Sequence, residues 1–198
     1  SADNASFTIG GTSGNSLLTA ASFDFETKSS YSIRVRTTDQ GGLWYEKQFT
    51  ITVTNVNETP TDIALSATSI AENQASGTAV GNFSTTDPDA GNTFTYTLVS
   101  GTGSTDNTSF TIGGSSGNSL LTAASFDFET KSSYSIRVRT TDQGGLWYEK
   151  QFTITVLDGN DGATQVVLSN VVSSLLATAN TTSAIPLADV SVTDDGMG

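Results

Sequence analysis

Residues 134–142 read YSIRVRTTD. Tyr134, Ile136 and Val138 alternate with Ser135, Arg137 and Arg139, which is the two-residue period of a strand with one buried face. Further along, Phe152, Ile154 and Val156 alternate with Thr153 and Thr155 in the same way. Shorter runs on the N-terminal side add strands at 62–66 (DIALS), 79–84 (AVGNFS), 93–99 (TFTYTLV), 109–113 (SFTIG) and 118–123 (NSLLTA). Clusters of Gly, Asn, Asp and Ser separate them. No segment keeps a helical period over a useful length. Seven strands in about 100 residues predict an all-β, seven-stranded Greek-key β-sandwich. Its expected core is Ile63, Leu65, Val80, Phe83, Phe94, Tyr96, Leu98, Phe110, Ile112, Leu121, Tyr134, Ile136, Val138, Phe152, Ile154 and Val156.

The decisive strands occur twice. Residues 3–54 and 106–157 are offset by 103, and of 52 aligned positions only Ala5/Thr108, Thr12/Ser115 and Thr54/Leu157 differ. A period that long matches a whole domain rather than a solenoid unit. The register carries on into NVNETPTDIALS (55–66) against DGNDGATQVVLS (158–169). The 198 residues therefore divide into the C-terminal part of one repeat (1–57), a complete repeat (58–160) and the N-terminal part of a third (161–198), all placed end to end. The opening SADNAS and closing DDGMG suggest a window cut from a longer polypeptide.

Composition excludes several kinds of function. Twenty acidic and eight basic residues, with no histidine, give a net charge of −12. That balance argues against nucleic acid and anionic membrane as partners, whose phosphates require Lys and Arg. No stretch approaches the roughly 18 apolar residues that span a bilayer. The absence of Cys and His removes disulfides, thiolate metal sites and Ser-His-Asp or Cys-His catalysis. GGTSGNS (10–16) lacks the Lys-Ser/Thr ending of a phosphate loop and reads as a hairpin turn. The acids cluster at turns and junctions rather than across a cleft, so the chain reads as a non-enzyme.

Those acids pose a problem of their own. FDFE stands at 23–26 and again at 126–129. In an extended chain Asp127 and Glu129 point the same way, and like charges held so close raise one another's pKa. Other acids lie at Glu72, at Asp87-Pro88-Asp89 with Asn92, and at Asp142 where a strand ends. Two linkers carry Asn55, Asn57 and Glu58, and Asp158, Asn160 and Asp161. Carboxylates and Asn carbonyls from separate loops suit Ca²⁺, which takes 6–8 hard oxygens at about 2.3–2.6 Å. An EF-hand loop begun at Asp87 fails, because Leu98 stands where a bidentate Glu is needed.

The order of these motifs resembles the cadherin superfamily, and specifically its bacterial cadherin-like repeats. Ala71-Glu72-Asn73 resembles the family's glutamate after strand A, and Asp87-Pro88-Asp89 its Asp-x-Asp loop. Asp127-Phe128-Glu129 and Asp24-Phe25-Glu26 resemble its Asp-Arg-Glu motif, and Thr141-Asp142 its strand-ending Asp. Asp158-Gly159-Asn160-Asp161 is similar to its Asp-x-Asn-Asp-Asn linker, whereas Asn55-Val56-Asn57-Glu58 departs further. The resemblance implies Ca²⁺ at each junction of repeats. At the first it implies Asp24, Glu26, Asn55, Asn57, Glu58, Asp87, Asp89, Asn92 and Asp142 as ligands. At the second it implies Glu72, Asp127, Glu129, Asp158, Asn160 and Asp161, with Asp194 and Asp195 from the following repeat.

The expected role is a calcium-stiffened structural or adhesive repeat of a long extracellular surface protein or fibre. Its partners would be neighbouring repeats, identical chains, or cell-surface glycans and proteins. One alternative is a fibre subunit whose terminal pieces complete one another by strand addition. Another is a carbohydrate-binding module built on Trp44 and Trp147. Either Trp147 covers a linker or packs on an adjoining domain, or it is a lateral or sugar-stacking contact. Asn4, Asn57, Asn82, Asn107 and Asn180 each begin an Asn-x-Ser/Thr triplet, which matters where the host glycosylates it.

Overall fold

The computed structural model describes residues 2–163, 165–172 and 186–193. It is built of strands, with single-turn 3₁₀ segments at Asn4–Ser6 and Asn107–Ser109. In the N-terminal copy, β1 (Phe7–Gly10) pairs with β2 (Ser16–Thr19) and β3 (Ser30–Thr38) with β4 (Trp44–Thr52), both antiparallel. The central repeat runs β5 (Asp62–Leu65), β6 (Ser69–Ala71), β7 (Ala79–Thr86), β8 (Thr95–Leu98), β9 (Phe110–Gly113), β10 (Ser119–Thr122), β11 (Ser133–Thr141) and β12 (Trp147–Leu157). Its two sheets have the orders β5-β7-β10-β9 and β6-β12-β11-β8. Beyond it, β13 (Gln165–Ser169) and β14 (Asp189–Thr193) form an antiparallel pair.

All seven expected strands of the central repeat are present, and the fold is the all-β, cadherin-like sandwich. An eighth strand, β6, has no clear period in its three residues. It runs parallel to β12, Ile70 opposite Val156. The first strand of the sandwich is thus broken in two, β5 serving one sheet and β6 the other. That break turns Ile70 and Glu72 inward while Ala71 stays exposed.

Ile63, Leu120, Ile136, Val138, Ile154 and Val156 are fully buried. Aromatic rings join the sheets: Phe83 of β7 lies 5.3 Å from Tyr96 of β8 and 5.8 Å from Phe152 of β12, centroid to centroid. Leu120, rather than the expected Leu121, fills the core. Two adjacent leucines fit either face, and a bulge between them against β7 decides which turns inward. Leu65, Phe94, Tyr96, Leu98, Ile112 and Tyr134 are half-buried rather than buried.

The chain separates into two compact units. One comprises Ser1–Asp62, Thr85–Phe94 and Thr141–Tyr148, and the other Ile63–Ser84, Thr95–Thr140 and Glu149–Gly198. Loops 85–94 and 141–148 join the N-terminal unit because they are tied to the 55–58 linker.

Two candidate metal centres

The first cluster lies wholly within the N-terminal unit. Ile136, Val138 and Thr140 face inward along β11, and the same parity buries Asp142 at the strand's end. There Asp142 Oδ1 accepts the Leu146 N–H at 2.9 Å, closing the turn, and Oδ2 accepts Asn57 Nδ2 at 2.9 Å. Gly144 makes this approach possible, since a Cβ there would lie 2.5 Å from Asn57 Nδ2. In the 87–92 loop, Asp87 Oδ1 accepts the Asp89 N–H at 2.9 Å and Asn92 Nδ2 at 3.2 Å, an Asx-type turn. Asp89, itself buried, accepts Asn55 Nδ2 on one oxygen and the Glu58 N–H on the other, both at 2.9 Å. Carboxylate oxygens of Glu26, Glu58 and Asp89 all lie within 4.8 Å of one another.

The second cluster lies wholly within the other unit. Glu72 is 4% exposed and accepts two backbone N–H groups, Phe128 at 2.8 Å and Gly159 at 2.6 Å. It thereby holds the 126–129 segment and the 158–161 linker to the end of β6. Carboxylate oxygens of Glu72, Glu129 and Asp161 lie within 4.8 Å of one another. Asn73 takes a left-handed φ of 59° and donates from Nδ2 to Asp161 at 2.7 Å. The sequence reading gave Asn73 no role, although an Asn beside the glutamate is a signal for such a turn.

FDFE is not extended, contrary to the sequence expectation. The Lys131 N–H bonds to the Asp127 carbonyl at 3.0 Å, and Asp127 Oδ1 accepts the Thr130 N–H at 2.9 Å. The first copy repeats this turn from Asp24 to Thr27 and Lys28. Asp127 thus starts a turn that carries Glu129 toward Glu72, and the two acids converge through the turn rather than through strand parity. Phe126 is buried against Phe110 and Tyr134, as Phe23 packs with Phe7 and Tyr31.

The electrostatics of the two clusters match. Burial, then the charges of Glu26, Asp89 and Asp24, pushes the Glu58 carboxyl above its usual range. For Glu129 its own backbone N–H acts downward, but burial and the charges of Glu72, Asp158 and Asp127 outweigh it, and the carboxyl is raised. The Glu58 N–H, then the Asn55 amide, holds Asp89 below the usual range, and the Thr130 N–H does the same for Asp127. Six of the eight Lys and Arg side chains pair with Asp3, Glu46, Asp106 and Glu149, all outside the clusters. Among the described residues, three buried carboxylate oxygens, Glu58 Oε2, Asp87 Oδ2 and Asp158 Oδ1, have no hydrogen-bond partner. Leaving such an oxygen buried without a partner is costly.

Of the expected ligands, Asp24, Glu26, Asn55, Asn57, Glu58, Asp87, Asp89, Asn92 and Asp142 fall in the first unit, linked by the contacts above. Glu72, Asp127, Glu129, Asp158 and Asp161 gather in the second. Asn160 is exposed on the linker, and Asp194 and Asp195 lie outside the described residues. Trp44 and Trp147 are 59% and 50% exposed, and the Arg36 guanidinium lies 4.4 Å from the centre of the Trp44 ring.

Comparison with known proteins agrees with the geometry. Residues 66–157 match the cadherin domain family. Protocadherin alpha-2 of Pan troglodytes is 30% identical over 189 residues, covering 91% of this chain and 20% of its own length. Protocadherin-18 of Homo sapiens is 31% identical over 162 residues, covering 76% of this chain and 14% of its own. The chain thus spans a fifth or less of these relatives. The solved cis-dimer of protocadherin gammaB7 domains EC3-6 superposes with a TM-score of 0.59 at 30% identity, covering 84% of this chain and 40% of that one. These relatives are primate protocadherins and lend nothing to the expected bacterial source. The chain is thus similar to cadherin-domain proteins through residues 66–157, and to protocadherins over nearly its whole length.

Proposed function

We propose that this chain is a calcium-rigidified adhesive segment of a long extracellular protein, with Ca²⁺ held by the two acidic clusters. The carrying observation is the convergence, twice over, of three carboxylates within 4.8 Å, together with buried carboxylate oxygens that lack a donor. Such a site repels itself until a cation enters. Its all-oxygen donor set, without His or Cys, suits Ca²⁺ rather than a softer metal. The first centre draws on Asp24, Glu26, Asn55, Asn57, Glu58, Asp87, Asp89, Asn92 and Asp142. The second draws on Glu72, Asp127, Glu129, Asp158, Asn160 and Asp161, with Asp194 and Asp195 completing it from the next repeat.

In this reading the repeats are 1–57, 58–160 and 161–198, and each centre clamps a linker. Binding to the folded state alone makes stability and rigidity depend on calcium. Copy number then sets reach, and the near-identity of the two copies supports a repeat-rich surface protein. Small-angle scattering and calorimetry with calcium and with chelator test the proposal. Saturable binding with a stiffer envelope is expected, while no heat at millimolar calcium and an unchanged envelope would overturn it.

Association between identical chains is a second reading, favoured by one observation. Ile9, Leu17, Leu18 and Phe49 are 41–54% exposed, whereas their copies Leu120 and Phe152 are buried and Ile112 and Leu121 half-buried. In the central repeat β7 covers the edge of β10, and β14 of another chain could cover β2 in the same way. Concentration-dependent polymerisation by light scattering supports this, and a monomer across the concentration range counts against it.

A further inference from the structure

The five Asn-x-Ser/Thr triplets are not equivalent in the folded chain. Asn4 donates from Nδ2 to the Arg34 carbonyl at 3.1 Å and accepts the Arg34 N–H on Oδ1 at 2.9 Å. Its copy, Asn107, is also engaged on both atoms, donating to the Val99 carbonyl at 2.9 Å and accepting the Arg137 N–H at 3.0 Å. In both, backbone groups hold the nitrogen and the oxygen of the side-chain amide. Asn57 gives Nδ2 to Asp142 inside the first acidic cluster. A sugar on any of these nitrogens competes with a backbone or carboxylate contact that the fold uses. Asn180 lies outside the described residues.

Asn82 differs on each count. It is exposed on β7, while the next residue, Phe83, is 2% exposed and anchors the strand in the core. Its backbone is fully engaged, since its N–H donates to Ser66 Oγ at 2.9 Å and its carbonyl accepts the Ser66 N–H at 3.0 Å. Across the ladder, Ser119 Oγ donates to Asn82 Oδ1 at 2.7 Å, with Ser119 directly opposite in register. That bond fixes the amide oxygen toward β10 and turns Nδ2 away from it. Nδ2 has no hydrogen-bond partner among the described residues. The side chains around it, Ser66, Ser84 and Ser119, are small, and Ser84 is the exposed third residue of the triplet.

We propose that Asn82 is the acceptor of an asparagine-linked glycan, standing on the outer face of the β5-β7-β10-β9 sheet. This rests on the extracellular reading above. In the transfer, Nδ2 bonds to the anomeric carbon of a polyprenyl-diphosphate-linked oligosaccharide. The C–O bond to the diphosphate breaks, the diphosphate departs with the electron pair, and one amide proton passes to a base of the transferase. The remaining N–H and the Oδ1–Ser119 bond are untouched, so the sugar is added without loss of a native contact. A glycan there would cover one sheet face and leave the β6-β12-β11-β8 face for protein contacts.

The test is secretion of the 198-residue chain from human cells behind a cleavable leader, with intact mass before and after peptide N-glycosidase. The site is read from the aspartate that deglycosylation leaves. A glycan at position 82 is expected, lost in both Asn82→Gln and Ser84→Ala, and Ser84→Ala, which keeps the Asn82–Ser119 bond, should leave the melting temperature of the deglycosylated chain unchanged. Secreted, folded chain bare at position 82 overturns the proposal. So does full occupancy of Asn107 with no fall in melting temperature, because the distinction between the triplets would then be void. Calcium binding measured on the same sample separates the two readings: a bare Asn82 with normal calcium binding removes the glycan site alone.

Discussion

Glu72 gives both of its carboxylate oxygens to backbone N–H groups from distant segments while sitting 4% exposed. Glu72→Ala leaves the Phe128 and Gly159 donors without partners, and a loss of about 2–4 kcal/mol is expected from two such groups. Urea unfolding in excess chelator reads this loss apart from the metal. Glu72→Gln keeps one acceptor oxygen and should fall between. Glu58 and Glu129 behave oppositely, because their neighbours are like charges. Their raised carboxyl pKa values mean that the folded chain holds their protons more tightly than the unfolded chain does. That preference favours folding below the usual glutamate range and is lost as pH rises through the raised value. Without cation at neutral pH both are therefore a net cost. Glu58→Gln should raise the melting temperature in chelator and lower it in calcium, and a shift of the same sign in both buffers would contradict the role given to Glu58. The residue types of these sites were legible in the sequence. Their contacts were not, because Asn73 and Asp161, which meet in the folded chain, stand 88 positions apart in sequence.

At the scale of elements, adjacent identical residues separate what pattern shows from what packing shows. Leu120 is fully buried and Leu121 is not. Leu120→Ala should cost about 2–5 kcal/mol, the range for a buried leucine, and Leu121→Ala clearly less by thermal unfolding. Leu17 is the copy of Leu120 in the same sequence, yet it is 41% exposed. Leu17→Ala should stay within about 0.5 kcal/mol, as an exposed substitution does. Equal effects at 17 and 120 would mean that both strands are covered alike. The 142–146 turn offers a test of the first metal centre. Gly144→Ala pushes a methyl into Asn57 and weakens its bond to Asp142. Calcium affinity there should fall about 2–10-fold, the worth of one hydrogen bond, with the second centre unchanged by calorimetry. β6 escaped sequence reading because a three-residue strand shows no period, and its partner in β12 stands far along the chain, Val156 opposite Ile70.

For the whole molecule the governing quantity is charge. A net −12 with six cations already paired leaves both clusters to repel in the absence of metal. Calcium should raise the melting temperature in proportion to the logarithm of its concentration once the sites fill. Calcium affinity should fall as pH drops through the raised carboxyl values of Glu58 and Glu129, since protons then compete for the same oxygens. Calorimetry across pH, with proton release measured in buffers of different ionisation heat, checks both. High monovalent salt should stabilise the chelated chain by screening, and change the calcium-loaded chain little.

By itself the sequence determined seven of the eight strands of the central repeat, the duplication at an offset of 103, and which oxygens could serve a hard cation. Those properties are local, since a two-residue period and a carboxylate are readable one segment at a time. Only the tertiary structure decided that FDFE turns rather than extends, which of two leucines is core, and that the first strand splits between sheets. It also decided, among the described triplets, which amide nitrogens are engaged and that the one on β7 is not. The FDFE turn closes locally, from Asp127 onto Thr130 and Lys131, but each of the others depends on a partner far away in the chain, and a long-range contact fixes a side chain's direction where its neighbours in sequence leave it undetermined.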